Sequence, residues 1–192
     1  MPSSLQWGST MDNIAELEAR TLALGAYGAK VIEVSAVETD GSFREMCRQN
    51  ACGLWGKCWT CPPDVGEIET MMAHLRTYSH VLVYQTVGQL EDSFDFENMI
   101  RAGNAHNVLA QSLRSVFKES GIQTVLHLGA GGCRVCGVCA KRTGEPCRHP
   151  DLAMSSLEAY GINVSCLAPA AEMKYINGNN TVTYFGAVFF RL

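Results

Sequence analysis

Residues 80–128 read HVLVYQTVGQLEDSFDFENMIRAGNAHNVLAQSLRSVFKESGIQTVLHL, and they set the pattern of the fold. His80 to Val87 is rich in β-branched residues and is bounded by turn residues, as strands are. Met99 to Glu119 repeats apolar residues at helical spacing and ends near Gly121. Gln123 to Leu128 is again typical of a strand. The order strand, helix, strand predicts a parallel pair of strands with a right-handed crossover.

The sequence on either side of this stretch adds further helices and strands. Periodicity and capping residues predict helices over 13–24, 67–78 and 152–160, and strands over 30–37, 162–166 and 181–190. Helices and strands interleave imperfectly. We therefore predict an α+β fold: a mixed sheet with packed helices, in which both cysteine-rich loops lie at strand ends. The chain is long enough for one domain spanning 1–192, with 1–12 as a loose N-terminal arm.

Composition narrows the partners and the compartment. Apolar residues make up 47% of the chain and charged residues 18%, and the formal net charge is −4. An acidic chain without Lys/Arg runs has no general attraction to nucleic acid or anionic lipid. Residues 1–20 do not resemble a secretory signal, and no window offers about 18 uninterrupted apolar residues. We expect a cytoplasmic protein with neither nucleic acid nor membrane as a partner.

The chain has nine cysteines. In a reducing compartment disulfides are rare, and clustered thiols usually bind metal. Eight of the nine fall into two groups of four. The ninth, Cys166, stands alone near a predicted strand, where we expect a buried thiol acting as a small hydrophobic side chain.

The second group gives the stronger signal. Cys133, Cys136 and Cys139 form a C-x2-C-x2-C run, and Cys147 follows eight residues later, beside Pro146. Three thiolates at this spacing can wrap one corner of a cubane, each reaching a different iron. In bacterial ferredoxins the fourth ligand comes sooner and proline follows it, whereas here proline precedes Cys147. We predict a [4Fe-4S] cluster on these four cysteines, with zinc as the alternative.

The first group spans fifteen residues and is more ambiguous. Its spacing is C-x4-C-x5-C-x2-C, with Trp55 and Trp59 between the ligands; the four cysteines are Cys47, Cys52, Cys58 and Cys61. Four thiolates this close satisfy either a cubane or a tetrahedral zinc. A dry aromatic wall would suit a cluster, although the two tryptophans are equally typical of a core. We predict a second [4Fe-4S] cluster, and in two-cluster ferredoxins a ligand from one run can serve the other cluster, so Cys61 and Cys147 could exchange places.

Other polar residues near the second group carry less weight. His149 follows Cys147 closely and could protonate a bound ligand, although a satisfied loop histidine is the commoner case. Three arginines surround the group and could offset the charge of a cluster or hold an anionic substrate: Arg134, Arg142 and Arg148. A solvated surface is the plainer explanation for them. The glycines at 129–132 lead into cysteines and lack the Lys and Ser/Thr of a phosphate-binding loop.

At these motifs the chain resembles a bacterial and archaeal family of unknown function described as predicted metal-binding proteins. The resemblance lies in CGLWGKCWTCPP at 52–63, in CRVCGVC at 133–139 and in PCRHP at 146–150; SSLEAYGI at 155–162 also looks like the family. It spans most of the chain, from Cys47 to about Cys166. The resemblance implies metal binding and supplies no reaction.

Three functions fit these observations. Two clusters in one small domain suit electron transfer with a redox partner protein. A cluster with an open iron site would suit an enzyme acting on a small, possibly sulfur-containing substrate; the odd spacing of Cys147, with Arg148 and His149 beside it, motivates this alternative. A zinc protein without redox chemistry is the third. The sequence leaves open the catalytic residues, the oligomeric state and which cysteines serve which cluster.

Overall fold

Residues 81–84 of β2 (His80–Gln89) are all apolar and buried, and their side chains point alternately to the two faces of the sheet. Val81 and Val83 pack into one hydrophobic cluster, whereas Leu82 and Tyr84 pack into another on the opposite face. Successive side chains of a strand point to opposite faces, so a strand with no polar face has to be buried on both. The molecule therefore has three layers, with the sheet in the middle.

The computed structural model describes residues 10–192. Its mixed sheet has the order β1-β2-β5-β3-β4. The strands besides β2 are β1 (Gly28–Glu33), β3 (Val125–Gly129), β4 (Ser155–Ser156) and β5 (Thr181–Phe190). The α-helices in the described residues are α1 (Thr10–Ala23), α2 (Phe43–Arg48), α3 (Ile68–Leu75), α4 (Phe96–Glu119) and α5 (Val164–Ala170), and 3-10 turns cover Val34–Ala36, Ala140–Thr143 and Glu158–Tyr160. The predicted α+β class is confirmed.

The predicted pairing of β2 with β3 is wrong. Both strands are antiparallel to β5, which lies between them, so they run in the same direction without touching. Leu82 is registered with Val188, and Leu126 with Phe189, on opposite edges of β5. The helix between β2 and β3 is long enough to return the chain across the sheet, so the sequence of 80–128 predicts correctly that the two strands run in the same direction. That sequence cannot show that a strand from the end of the chain enters the gap.

Helices cover each face of the sheet. Leu17 of α1 and Leu113 of α4 pack in the cluster around Leu82, while Leu75 of α3 and Leu167 of α5 pack in the other. Helix α1 begins at Thr10 and not at the predicted Asn13, so residues 10–12 belong to the helix. The prediction of a loose arm otherwise falls on residues 1–9, outside the described part.

Two predicted elements near the end of the chain are wrong. The predicted helix over 152–160 is the two-residue strand β4 followed by the 3-10 turn, and Gly161 ends that turn at φ 72°. The predicted strand over 162–166 is mostly the start of α5. Asn163 caps this helix by accepting a hydrogen bond from the Ser165 backbone N–H at 3.2 Å. The β-branched residues of this segment favour a strand, but the cap provided by Asn163 starts a helix instead.

The two cysteine-rich segments occupy different places in the fold. Residues 130–150, the second loop, directly follow β3, as predicted. Residues 47–64, the first loop, lie between α2 and α3, and Cys47 itself belongs to α2. The first loop does not follow a strand, so the prediction that it lies at a strand end is wrong. Between residues 10 and 192, no helix combines the length and apolarity needed to cross a membrane.

Candidate metal centre

The first and second loops pack directly against each other. The indole N–H of Trp59 donates to the backbone carbonyl of Glu145 at 2.9 Å. Lys141 forms an ion pair with Asp64, and its ammonium lies 4.2 Å from the centre of the Trp59 ring. A hydrogen bond, an ion pair and a cation–π contact thus join the loops. The two cysteine groups consequently form one region of the molecule.

Five thiols line one cavity between the loops, which we call the second cavity. Four are the cysteines of the second loop, and the fifth comes from the first loop: Cys133, Cys136, Cys139, Cys147 and Cys58. The cavity is narrow, at about 20 Å³. A cysteine side chain turns about a single bond before its sulfur, so the rim can widen around a bound group.

Three thiols line a different space, the first cavity, with a volume of about 300 Å³. They are Cys47, Cys52 and Cys61. The other walls are mainly apolar, with Phe43, Leu54 and Trp55, and the polar side chains are those of Ser156 and Glu158. The structure therefore divides the eight cysteines three to five, where the sequence grouped them four and four.

Cys58 and Cys61 sit where the two cavities approach each other. Both are buried, with 2% and 9% of their surface exposed. The hydrogen bond from Cys61 lowers the pKa of Cys58 to about 5, assisted by Thr60 and by the backbone N–H of Cys133, against burial, which acts to raise it. That same hydrogen bond, together with burial, raises the pKa of Cys61. Cys58 meets the second loop in the lining of the second cavity.

Gly132 of the second loop lines the first cavity and lies close to the first loop. A Cβ atom there would lie 2.1 Å from the Leu54 Cδ1 atom and 3.5 Å from the sulfur of Cys61. Only glycine lets the second loop approach the first this closely without displacing Leu54. Gly131, just before it, has φ 68°, which turns the chain into the cysteine run.

A buried arginine accompanies the first cavity. Arg44 of α2 is 8% exposed and donates to the backbone carbonyls of Gly66 at 2.7 Å and Ala159 at 3.2 Å. Its Nε atom is buried and has no hydrogen-bond partner in the described part of the chain. Burial raises the pKa of the nearby Cys47 thiol, and the Arg44 charge opposes that rise. A buried cation near a thiol favours the thiolate form, which is the form that binds metal.

The other residues singled out from sequence lie at the surface. His149 is exposed but lines the second cavity, and Arg148 pairs with Glu145 at 3.1 Å. Arg134 donates to the Asn104 side chain at 3.2 Å, and Arg142 is exposed. Cys166 is half-buried on α5 rather than buried, and a hydrogen bond with Glu38 raises its pKa.

Sequence reasoning missed Arg44 and one buried histidine, His106 of α4. His106 is 2% exposed, its Nδ1 lies 2.9 Å from the Thr86 hydroxyl, and its Nε2 has no partner among the described residues. Burial lowers the pKa of His106 to about 4. It borders a cavity of about 10 Å³ with residues 129–133. The sequence signal that could have identified His106 is its position on the buried face of α4, three residues after Gly103.

In the described residues, no three Cys, His, Asp or Glu side chains are placed to share a single metal ion.

A cavity of about 710 Å³ lies elsewhere, between α4 and the end of β2, and Arg101 is the charged side chain in its lining. That cavity has no cysteine in its lining and does not adjoin either loop.

Comparison with known proteins gives one match. The model of a family described as "Predicted metal-binding protein (DUF2284)" matches residues 30–190. No curated protein and no solved structure matches the chain.

Proposed function

Because the chain belongs to this family of predicted metal-binding proteins, we propose that it holds two [4Fe-4S] clusters on its eight grouped cysteines and transfers electrons. The observation that carries the proposal is the pair of cysteine-lined cavities on loops that contact each other. The ligands are Cys47, Cys52, Cys58, Cys61, Cys133, Cys136, Cys139 and Cys147. When bound, such clusters supply reversible one-electron chemistry.

The donor sets fit iron-sulfur clusters in number and chemistry. The second cavity offers five thiols, enough to give each of the four irons of a cubane one thiolate. The first cavity, at about 300 Å³, offers more room than one ion requires. The C-x2-C-x2-C run favours a cubane as well. These features support clusters over zinc, which is the alternative cofactor.

The contact between the loops supports electron transfer. Cys58 lines one cavity and Cys61 lines the other, and a backbone hydrogen bond of 3.0 Å joins the two residues in one turn. Groups bound in the two cavities would be neighbours, so an electron would have a short path between them. The cysteine run of the second loop is half-buried and Val138 within it is 60% exposed, which leaves an approach for a partner protein.

The chain's own charges suit bound anionic clusters. Arg44 places a buried guanidinium near Cys47. Positive charge near the thiolates favours the reduced form of a cluster, because reduction adds negative charge. We propose a cytoplasmic protein with a redox partner protein, and we expect neither nucleic acid nor a membrane as partner.

Metal analysis tests this proposal. The protein is purified without oxygen; iron, acid-labile sulfide and zinc are quantified, and spin-resonance spectra are recorded before and after dithionite. We expect about eight irons and eight sulfides per chain, with signals of reduced clusters after dithionite. About two zincs without sulfide would overturn the proposal and leave a structural zinc protein. Clusters that no physiological donor reduces would remove the electron-transfer part alone.

A further inference from the structure

The first loop carries four cysteines, yet its own cavity receives only three of them. Cys47, Cys52 and Cys61 line the first cavity, and Cys58 lines the second. A cubane has four irons, and full protein ligation takes one thiolate for each. The first cavity is thus one thiolate short of full ligation, whereas the second has one more than it needs.

Cys58 is held on the side of the second cavity by several contacts. The Thr60 hydroxyl lies 3.4 Å from its sulfur, and both residues line the second cavity together with Cys133. The Cys58 side chain is 2% exposed, so it is enclosed on that side. The backbone N–H of Cys61 donates to the carbonyl of Cys58 at 3.0 Å, which fixes the turn joining the two residues.

We propose that the first site holds its cluster by Cys47, Cys52 and Cys61 alone, and that the fourth iron binds a small external thiol through the first cavity. The proposal rests on the proposed clusters and names the substrate class for one of them. It also moves the open position from the second group, where the spacing of Cys147 suggested it, to the first.

The lining of the first cavity selects the kind of ligand. Iron in such clusters prefers soft sulfur donors, which makes a thiolate the natural fourth ligand. Leu54, Phe43 and Trp55 form apolar walls that fit a short alkyl chain. Glu158, half-buried in the lining, adds a carboxylate close to Cys47. A thiol with a positively charged amine pairs with that carboxylate, whereas a thiol with a carboxylate is repelled.

Iron release tests the open position without any variant. Ferricyanide takes one electron from a cubane, and an iron without a protein thiolate then leaves as Fe²⁺, giving a three-iron cluster. We expect the iron content to fall from about eight to about seven per chain, with sulfide unchanged and the spin-resonance signal of a three-iron cluster. Retention of all eight irons would overturn the proposal and leave the two clusters of the proposed function intact. Absence of iron and sulfide at the outset would overturn both.

The variant Cys58→Ala tests the assignment of ligands. If Cys58 serves the first site, its loss creates the releasable iron, and the wild-type protein releases none. We expect one releasable iron in both proteins. Cys166→Ala is the matched control, since Cys166 lies on α5, outside both cavities.

The ligand class is tested with two probes that share a two-carbon spacer and carry opposite charges, 2-aminoethanethiol and 3-mercaptopropionate. Binding is followed through the spin-resonance spectrum of the dithionite-reduced protein. We expect up to about fivefold tighter binding of 2-aminoethanethiol, the size of one partly exposed ion pair. Glu158→Gln should abolish this preference. Equal affinity of the two probes in the wild-type protein would overturn the ligand class, and a preference unchanged by Glu158→Gln would overturn the role of Glu158.

Discussion

The first and second cavities differ in thiol number, size and closure, although each loop carries four cysteines. The second cavity has five thiols around about 20 Å³, while the first has three thiols around about 300 Å³ and is bordered by Glu158. A small space crowded with ligands suits a fully ligated, shielded group. A larger space with fewer ligands leaves room for another molecule. Cysteine spacing alone therefore does not reveal how ligands are shared.

The largest expected effect is on iron content: the second cavity should tolerate the loss of one cysteine, and the first should not. Cys52→Ala should reduce the iron content from about eight to about four, because two thiolates remain for the first cluster. Cys147→Ala should retain about eight, because four thiols still line the second cavity. Cys52 is exposed, so its loss leaves the core unchanged. The measurement is iron and sulfide per chain; loss of four irons in Cys147→Ala would show that Cys58 cannot complete the second site.

The second prediction concerns the buried charge beside the first cavity. Arg44→Met removes two hydrogen bonds to carbonyls and leaves those carbonyls unsatisfied, so we expect the free energy of unfolding to fall by about 3 kcal/mol. Loss of a nearby cation should also lower the reduction potential of the first cluster and leave the second unchanged. Denaturant unfolding and a spectroscopic redox titration measure the two effects.

Arg48→Met is the control for that prediction. Arg48 also belongs to α2, but it is exposed and pairs with Glu45 across one turn of helix. Exposed pairs of this kind contribute little, so we expect a change below about 0.5 kcal/mol and no change in potential. Equal effects of the two variants would show that the buried position of Arg44 is irrelevant to the first cavity.

The contrast between the cavities also marks what the sequence could predict. The bounds predicted for the last strand, Thr181 to Phe190, are those observed, and the helices α1, α3 and α4 lie where periodicity predicts them. These elements bury regular apolar stripes, which are local patterns. The placement of β5 between β2 and β3 depends on residues about 60 to 110 positions apart, which no local pattern records.

In the candidate site, too, local sequence patterns predict some features, and long-range packing determines the others. Spacing alone grouped the eight cysteines, because ligands of one loop are close in sequence. Cys58 lines the second cavity together with Cys133, seventy-five residues further along the chain. Arg44 looked like an ordinary charged residue because its partners, two backbone carbonyls, have no sequence signature. Sequence identified the candidate donors, and packing determined which cavity each of them lines.

The third prediction tests the connection between the loops. Lys141 pairs with Asp64, whose Oδ2 atom is buried without another partner in the described residues. Lys141→Met leaves that carboxylate unpaired, so we expect about 2 kcal/mol of lost stability and a Tm lower by about 4 to 8 °C. Lys57→Met removes an exposed lysine of the first loop and should change the Tm by less than about 2 °C. Equal Tm values for the two variants would show that the pair does not hold the loops together.

The smallest expected effect comes from a single methyl group added at Gly132, where the second loop approaches Leu54 of the first loop. Gly132→Ala places a Cβ 2.1 Å from Leu54 Cδ1, but that atom ends a flexible side chain bordering the 300 Å³ cavity, into which it can turn. We therefore expect a cost of only about 1 kcal/mol, or about 2 to 4 °C in Tm. Gly137→Ala is the matched control, because its Cβ meets nothing within 4 Å. If the first cavity has the space that sets it apart from the second, the displaced Leu54 should weaken 2-aminoethanethiol binding in Gly132→Ala and not in Gly137→Ala.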